Sequence, residues 1–134
     1  MEAKLKHLEI IQDVINRMAN NSFLLKGWSV VLVSALFALA AKDSNTLYIY
    51  LAYFPTIAFW VLDGYFLRQE KLYRKLYDKV RNTDDSKIDF SMDTSSVTKQ
   101  VSAWSEVVFS KTLSIFHGVI VLTILLVMWI ASRL

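Results

Sequence analysis

Residues 112 to 134, TLSIFHGVIVLTILLVMWIASRL, hold no full charge before Arg133. A helix rises about 1.5 Å per residue, so a stretch of this length crosses the roughly 30 Å hydrocarbon core of a bilayer, and helices of water-soluble cores rarely run so long uncharged. The stretch is read as a membrane span. Toward the N-terminus, residues 47 to 67, LYIYLAYFPTIAFWVLDGYFL, and residues 23 to 41, FLLKGWSVVLVSALFALAA, carry one charge each and are long enough to do the same. The polar AKDSNT between them reads as the tight turn of a helical hairpin, and Pro55 is expected to kink the second span. The fold class that follows is all-α: an integral membrane protein with three transmembrane helices, an N-terminal amphipathic helix and cytoplasmic helical extensions, assembled as a homo-oligomer. One membrane domain, 1–134, divides into a leader (1–22), the first span (23–41), the second (47–67), a cytoplasmic segment (68–111) and the third span (112–134).

Composition agrees with this partition. An apolar share of 54% with only 3 Gly and 1 Pro excludes a disordered chain, and the lack of Cys excludes disulfides, thiolate metal sites and cysteine nucleophiles. No small-residue cleavage motif follows the charged leader closely, so the spans are expected to stay in the mature protein. The net charge is +3, from 15 Lys and Arg against 12 Asp and Glu, but it is unevenly placed. Nine of the basic residues fall between Arg68 and Lys111, while the opposite side offers Lys42 and Arg133. Basic residues mark the cytoplasmic face, which puts the N-terminus and 68–111 inside and the C-terminus outside. Tyr48, Tyr50, Tyr53 and Trp129 then fall at the outer interface.

Outside the spans, helical periodicity continues. Leu8, Ile11, Val14, Ile15 and Met18 share one face of the leader, opposite Asp13, Asn16, Arg17, Asn20 and Asn21, with Asp13 and Arg17 spaced to pair. The leader is either continuous with the first span or joined to it near Asn21 and Ser22. RQEKLYRKLYDKVR prolongs the second span, with Leu72, Tyr73, Leu76, Tyr77 and Val80 as an apolar stripe. Residues 82–96 read as a loop in which Ile88, Phe90 and Met92 alternate, allowing a short strand or a docked extended piece. Asp93 or a hydroxyl at 94–96 would cap a last cytoplasmic helix over about 97–110, carrying Val97, Val101, Trp104 and Val108.

The hairpin supplies the sharpest inference about function. Lys26 and Asp63 are equidistant in residue count from the turn, so antiparallel helices bring them to one depth, and a Lys26–Asp63 contact or shared hydration is expected because an isolated charge in hydrocarbon costs ~3 kcal/mol or more. His117 enters the third span from the same side, and with Ser29 and Ser114 completes a polar layer. One reading of that layer is a constriction or ion pathway in an oligomer. The other is a snorkelling Lys26 paired with Asp63 only to fix helix packing, with His117 a satisfied structural histidine. The leader's polar face, Asp13, Asn16, Arg17, Asn20 and Asn21, lines a cytoplasmic vestibule, receives a partner, or is merely solvated with its apolar stripe on the membrane. Arg68, Lys71, Arg74 and Lys75 are expected to meet anionic lipid headgroups, and nucleic acid is not the expected partner.

No catalytic set is present: no Gly-rich phosphate loop, no HExxH, no nucleophile elbow, no paired carboxylates in an apolar setting. The chain is not expected to be an enzyme, and neither a cofactor nor a metal is implied. Three helices cannot enclose an aqueous pore, so a tetramer or larger closed ring is expected, with Ser34, Ala38 and Ala41 as a small-residue ridge permitting close helix approach.

The runs IIQDVINRMANNSFLLKGWSVVLVSALFALAAKD and YFPTIAFWVLDGYFLRQEKLYRKLYDKVR resemble small bacterial membrane proteins of anti-phage defence operons, in particular the membrane component of Hailong-type systems. The resemblance covers about residues 7 to 82. It implies an oligomeric channel or pore-forming effector of the bacterial inner membrane, held off or switched on by a cytoplasmic partner such as a nucleotidyltransferase-like enzyme or its nucleotide product. It also makes Arg17, Asn20, Asn21, Ser22, Lys26, Trp28, Trp60 and Asp63 candidate functional positions. Residues 83–134 carry no part of it. The other expectation the residues allow is a non-conducting membrane anchor or adaptor for a cytoplasmic partner.

Overall fold

The structure, a computed structural model of residues 1–134, is all-helical. Helix α1 runs unbroken over Glu2–Asp43, so leader and first span are one rod of about 60 Å, twice the thickness of a hydrocarbon core. It ends where Ser44 turns left-handed at φ 50° and the Asn45 amide donates back to the Ala40 carbonyl, a helix-closing turn that reverses the chain within three residues. Helix α2 (Leu47–Leu51) and helix α3 (Tyr53–Arg81) follow, separated at Ala52. Pro55 explains the break, since it lacks the N–H that would bond to the Leu51 carbonyl. Just beyond the break, the Ala52 carbonyl accepts both the Thr56 amide at 3.4 Å and the Thr56 hydroxyl at 2.8 Å.

Three helical stretches, Glu2–Asp43, Leu47–Arg81 and Lys111–Arg133, are long and apolar enough to cross a membrane. Only 17 to 28% of their most apolar windows is buried inside the fold, so most of this greasy surface points outward and requires a lipid solvent. Phe54 is 79% exposed and Phe23 72%, which water would not tolerate across three parallel faces.

The packing is divided into two apolar clusters. Beyond the spans, Ile11 and Ile15 of α1 bury against Leu76 and Val80 of α3, flanked by Tyr73 and Tyr77. The apolar stripes of the leader and of α3 thus cover each other within one chain, and the leader's apolar face does not lie on the bilayer. Near the turn, Val33, Ile49 and Ala52 pack against Ile120 and Ile124 of the last helix, α5 (Lys111–Arg133).

The connection from α3 to α5 departs from the expected helix over 97–110. A single 3₁₀ turn occupies Asp85–Lys87 and a six-residue 3₁₀ stretch Ser95–Gln100, residues 101–103 are extended, and only Trp104–Val108 forms a short α-helix, α4. No strand forms at 88–92; Phe90 instead adopts φ 56°. The Asp93 carboxylate accepts the Ser95 amide and hydroxyl, which holds its pKa below the ordinary carboxylate value. This local staple is complete at neutral pH and opens as pH falls through the lowered pKa.

Helix α4 approaches α3 closely at Gly64. A β-carbon built there would lie 2.4 Å from Val108 Cγ2 and 3.1 Å from Val108 Cα. Gly64→Ala should therefore destabilise the fold by about 1–3 kcal/mol through overpacking. Gly27→Ala meets nothing within 4 Å and should leave thermal unfolding in detergent unchanged or raised. Equal melting temperatures for the two variants would contradict the close packing of α4.

Candidate functional site

Asp63 is fully buried in α3, in the middle of an otherwise apolar turn. It stays there because three donors converge on it from two other helices and a hydroxyl. Lys26 of α1 donates from Nζ to Oδ2 at 2.6 Å, and His117 of α5 donates from Nε2 to the same oxygen at 2.7 Å. The Ser22 hydroxyl donates to Oδ1, and Lys26 Nζ also donates to Ser22 Oγ at 2.9 Å. Ser22 and Lys26 are i and i+4 on α1, so one helical face presents both to the carboxylate.

His117 is as buried as Asp63. Its ring stacks on Trp60 with centroids 5.7 Å apart at 14°, and Phe116 stands edge-on at 5.1 Å. Trp60 is held in turn by its indole N–H, which donates to the Val108 carbonyl at 2.7 Å. Nε2 faces the carboxylate and carries a proton toward it, while Nδ1 is buried with no partner. Lys26, whose side chain is 21% exposed, is the cluster's one member that reaches the surface.

Of the expected polar layer, the structure brings together Lys26, Asp63 and His117. Ser29 is buried on the same face of α1 but its hydroxyl has no partner, and half-buried Ser114 makes no side-chain hydrogen bond. Ser22 takes the place assigned to them. The spacing of Ser22 to Lys26 was the available signal, but a serine beside two asparagines at a possible helix junction reads equally well as a cap.

On the leader, Asp13, Asn16, Arg17 and Asn20 are exposed and Asn21 is half-buried. Asp13 and Arg17 form no ion pair; Asn16 instead accepts from Gln12 at 3.0 Å. On α3, Arg68 donates to the Ser102 carbonyl at 3.1 Å and Arg74 to Glu70 at 3.1 Å, leaving Lys71 and Lys75 exposed. A cleft of about 400 Å³ runs between Lys71, Arg74 and Lys75 and the Gln100–Ser102 backbone. No grouping of three or more His, Cys, Asp or Glu could hold a metal ion.

Compared with known protein families, curated proteins and solved structures, the chain matches none.

The cluster makes a definite energetic demand. Removing one partner leaves the other buried and uncompensated, at a cost of ~3–5 kcal/mol, whereas replacing both with apolar groups is often near neutral. Lys26→Met and Asp63→Leu should each lower unfolding stability in bicelles by that order. The double variant should lose clearly less than the sum, although His117 then lacks an acceptor. Additive losses would mean that the ion pair carries no coupling.

Proposed function

We propose that the chain is the subunit of an oligomeric channel or pore-forming effector of the bacterial inner membrane, acting in anti-phage defence. In this reading the N-terminus and residues 68–111 lie in the cytoplasm and the C-terminus in the periplasm. Gating comes from the cytoplasmic side, through a partner protein or a nucleotide signal. The observation that carries the reading is the Lys26–Asp63–His117 cluster closed on itself between spanning helices. A charged Lys or Asp in a span weakens insertion by about 2.5–3.5 kcal/mol, a cost that a passive anchor has no reason to bear.

The cluster also defines what opening requires. Past it, toward the turn, the interior is Val33, Ile49, Ala52, Ile120 and Ile124, which offers ions nothing. A single subunit is therefore a plug, and the lumen lies between subunits of a closed ring of four or more. Breaking the cluster frees α5 from the α1–α3 hairpin at its polar end, and the released charges draw in water. The exposed face of Asp13, Asn16, Arg17 and Asn20 faces the vestibule of such a ring, and the cleft beside Lys71, Arg74 and Lys75 receives the regulator or lipid headgroups.

One observation favours a second reading, a non-conducting anchor or adaptor: every charge in the cluster is answered within a single subunit, as pure packing would demand. The two readings separate on one measurement. The full chain and its Asp63→Asn variant, which keeps side-chain volume but loses the negative charge, are placed in planar bilayers and expressed in a bacterial host with a membrane-potential dye. Current steps and depolarisation are expected, stronger for Asp63→Asn because the latch is broken. Electrical silence from both proteins, each verified as membrane-inserted, would eliminate the channel and leave the anchor.

A further inference from the structure

Helix α4 does not stand away from the bundle. The Trp104 indole donates to the Val61 carbonyl at 3.2 Å, while the Trp60 indole donates to the Val108 carbonyl, so the two ends of α4 are each tied to α3 by a tryptophan. Edge-to-face pairs reinforce both ties: Tyr65 with Trp104 and Trp60 with Phe109, each at 6.0 Å between centroids. Gly64 admits Val108 between them. These contacts place α4 beside residues 60–65 of α3.

That position has a depth. Arg68 is the first charge after Asp63, and at about 1.5 Å per residue Gly64 and Val61 lie about 6 and 10 Å to the apolar side of it. A segment at that level is neither in bulk water nor in the middle of the hydrocarbon. Its surface matches: Phe109 is 71% exposed, Trp104 45% and Tyr65 42%, with Ser105 and Glu106 as the exposed polar residues and Arg68 and Lys111 at its flanks. Half-exposed amphipathic rings flanked by cations favour the headgroup level of a bilayer, to which an interfacial helix commits its apolar side by roughly 5–10 Å.

We infer that α4 and Phe109 form an interfacial plate seated in the headgroup region of the leaflet on the basic side, with phospholipid, not a protein partner, covering the exposed rings of Trp104, Phe109 and Tyr65. The plate has a mechanical consequence. Val108 holds Trp60, Trp60 stacks on His117, and His117 bonds Asp63, so a short run of contacts links the bilayer surface to the buried cluster. Displacing the plate moves the indole that sets the orientation of the His117 ring.

The chain has no cysteine, so single spin labels report depth directly. Full-length protein carrying a nitroxide at Phe109→Cys, or at Ser86→Cys in the exposed loop as reference, is reconstituted into vesicles of phosphatidylethanolamine and phosphatidylglycerol. The label at 109 should show a ratio of oxygen to nickel-chelate collisions several-fold above that at 86. In parallel, the fluorescence difference between wild type and Trp104→Phe should be quenched by lipids brominated near the headgroup and not by iodide. A label at 109 as open to the chelate as that at 86, or one shielded from both collision agents, overturns the inference, the latter because protein would then cover the face. Should Phe109→Cys fail to insert, the Trp104 comparison decides alone, and quenching by iodide instead of brominated lipid defeats the plate. Neither readout depends on whether the protein conducts.

Discussion

The structure depends on one constraint: a carboxylate with no access to solvent must find its hydrogen-bond donors inside the fold. Asp63 finds them on α1 and α5 at once, and in doing so it fixes three degrees of freedom that apolar packing leaves soft. It sets the vertical register of α1 against α3, because only one pairing puts Ser22 and Lys26 opposite position 63. It sets the rotation of α5, because His117 must face inward. It also sets the order of the aromatic stack, since Trp60 covers the ring that Asp63 holds. Lipid tails are as apolar as leucine, so helices in a bilayer have little other reason to choose one arrangement over another.

The far half of the bundle shows what happens without such a constraint. There Val33, Ile49, Ala52, Ile120 and Ile124 meet through dispersion contacts alone, and an apolar groove of about 450 Å³ opens beside Phe37, Ala40, Val127 and Ile130. Directional bonds converge at the basic end, whereas the turn end adds to its shape complementarity only the Tyr53 hydroxyl donating to Met128 Sδ at 2.9 Å.

The spans and the Lys26–Asp63 contact were legible in the residues for one reason. A tight turn makes residue counting equivalent to measuring depth, and a lone charge in each of two adjacent spans then has only one partner to find. His117 was legible by the same depth argument applied from the other end of the chain. The elements that escaped depend on contacts distant in sequence. The spacing of Val97, Val101, Trp104 and Val108 fits a helix as written, but tethering Trp104 to Val61 and docking Val108 on Gly64 pulls the chain flat against α3, and residues 101–103 extend to permit it. Phe90 follows the same rule. Its left-handed backbone brings its ring to 5.4 Å from His7 and the next carbonyl, of Ser91, to 3.0 Å from His7 Nε2, a tertiary demand that overrides local preference.

Burial also limits what the cluster can do outside the fold. Asp63 and His117 have no exposed surface and Lys26 answers the carboxylate at 2.6 Å, so the ion pair projects little field beyond the fold. Charges able to act on the exterior are the exposed ones, which on α1 include Asp13 and Arg17, unpaired with each other. The buried cluster and the leader face thus divide: one holds helices together, the other can meet what lies outside the fold. The division follows from burial alone, because a charge answered inside the fold can hold helices together but cannot also attract an ion from outside.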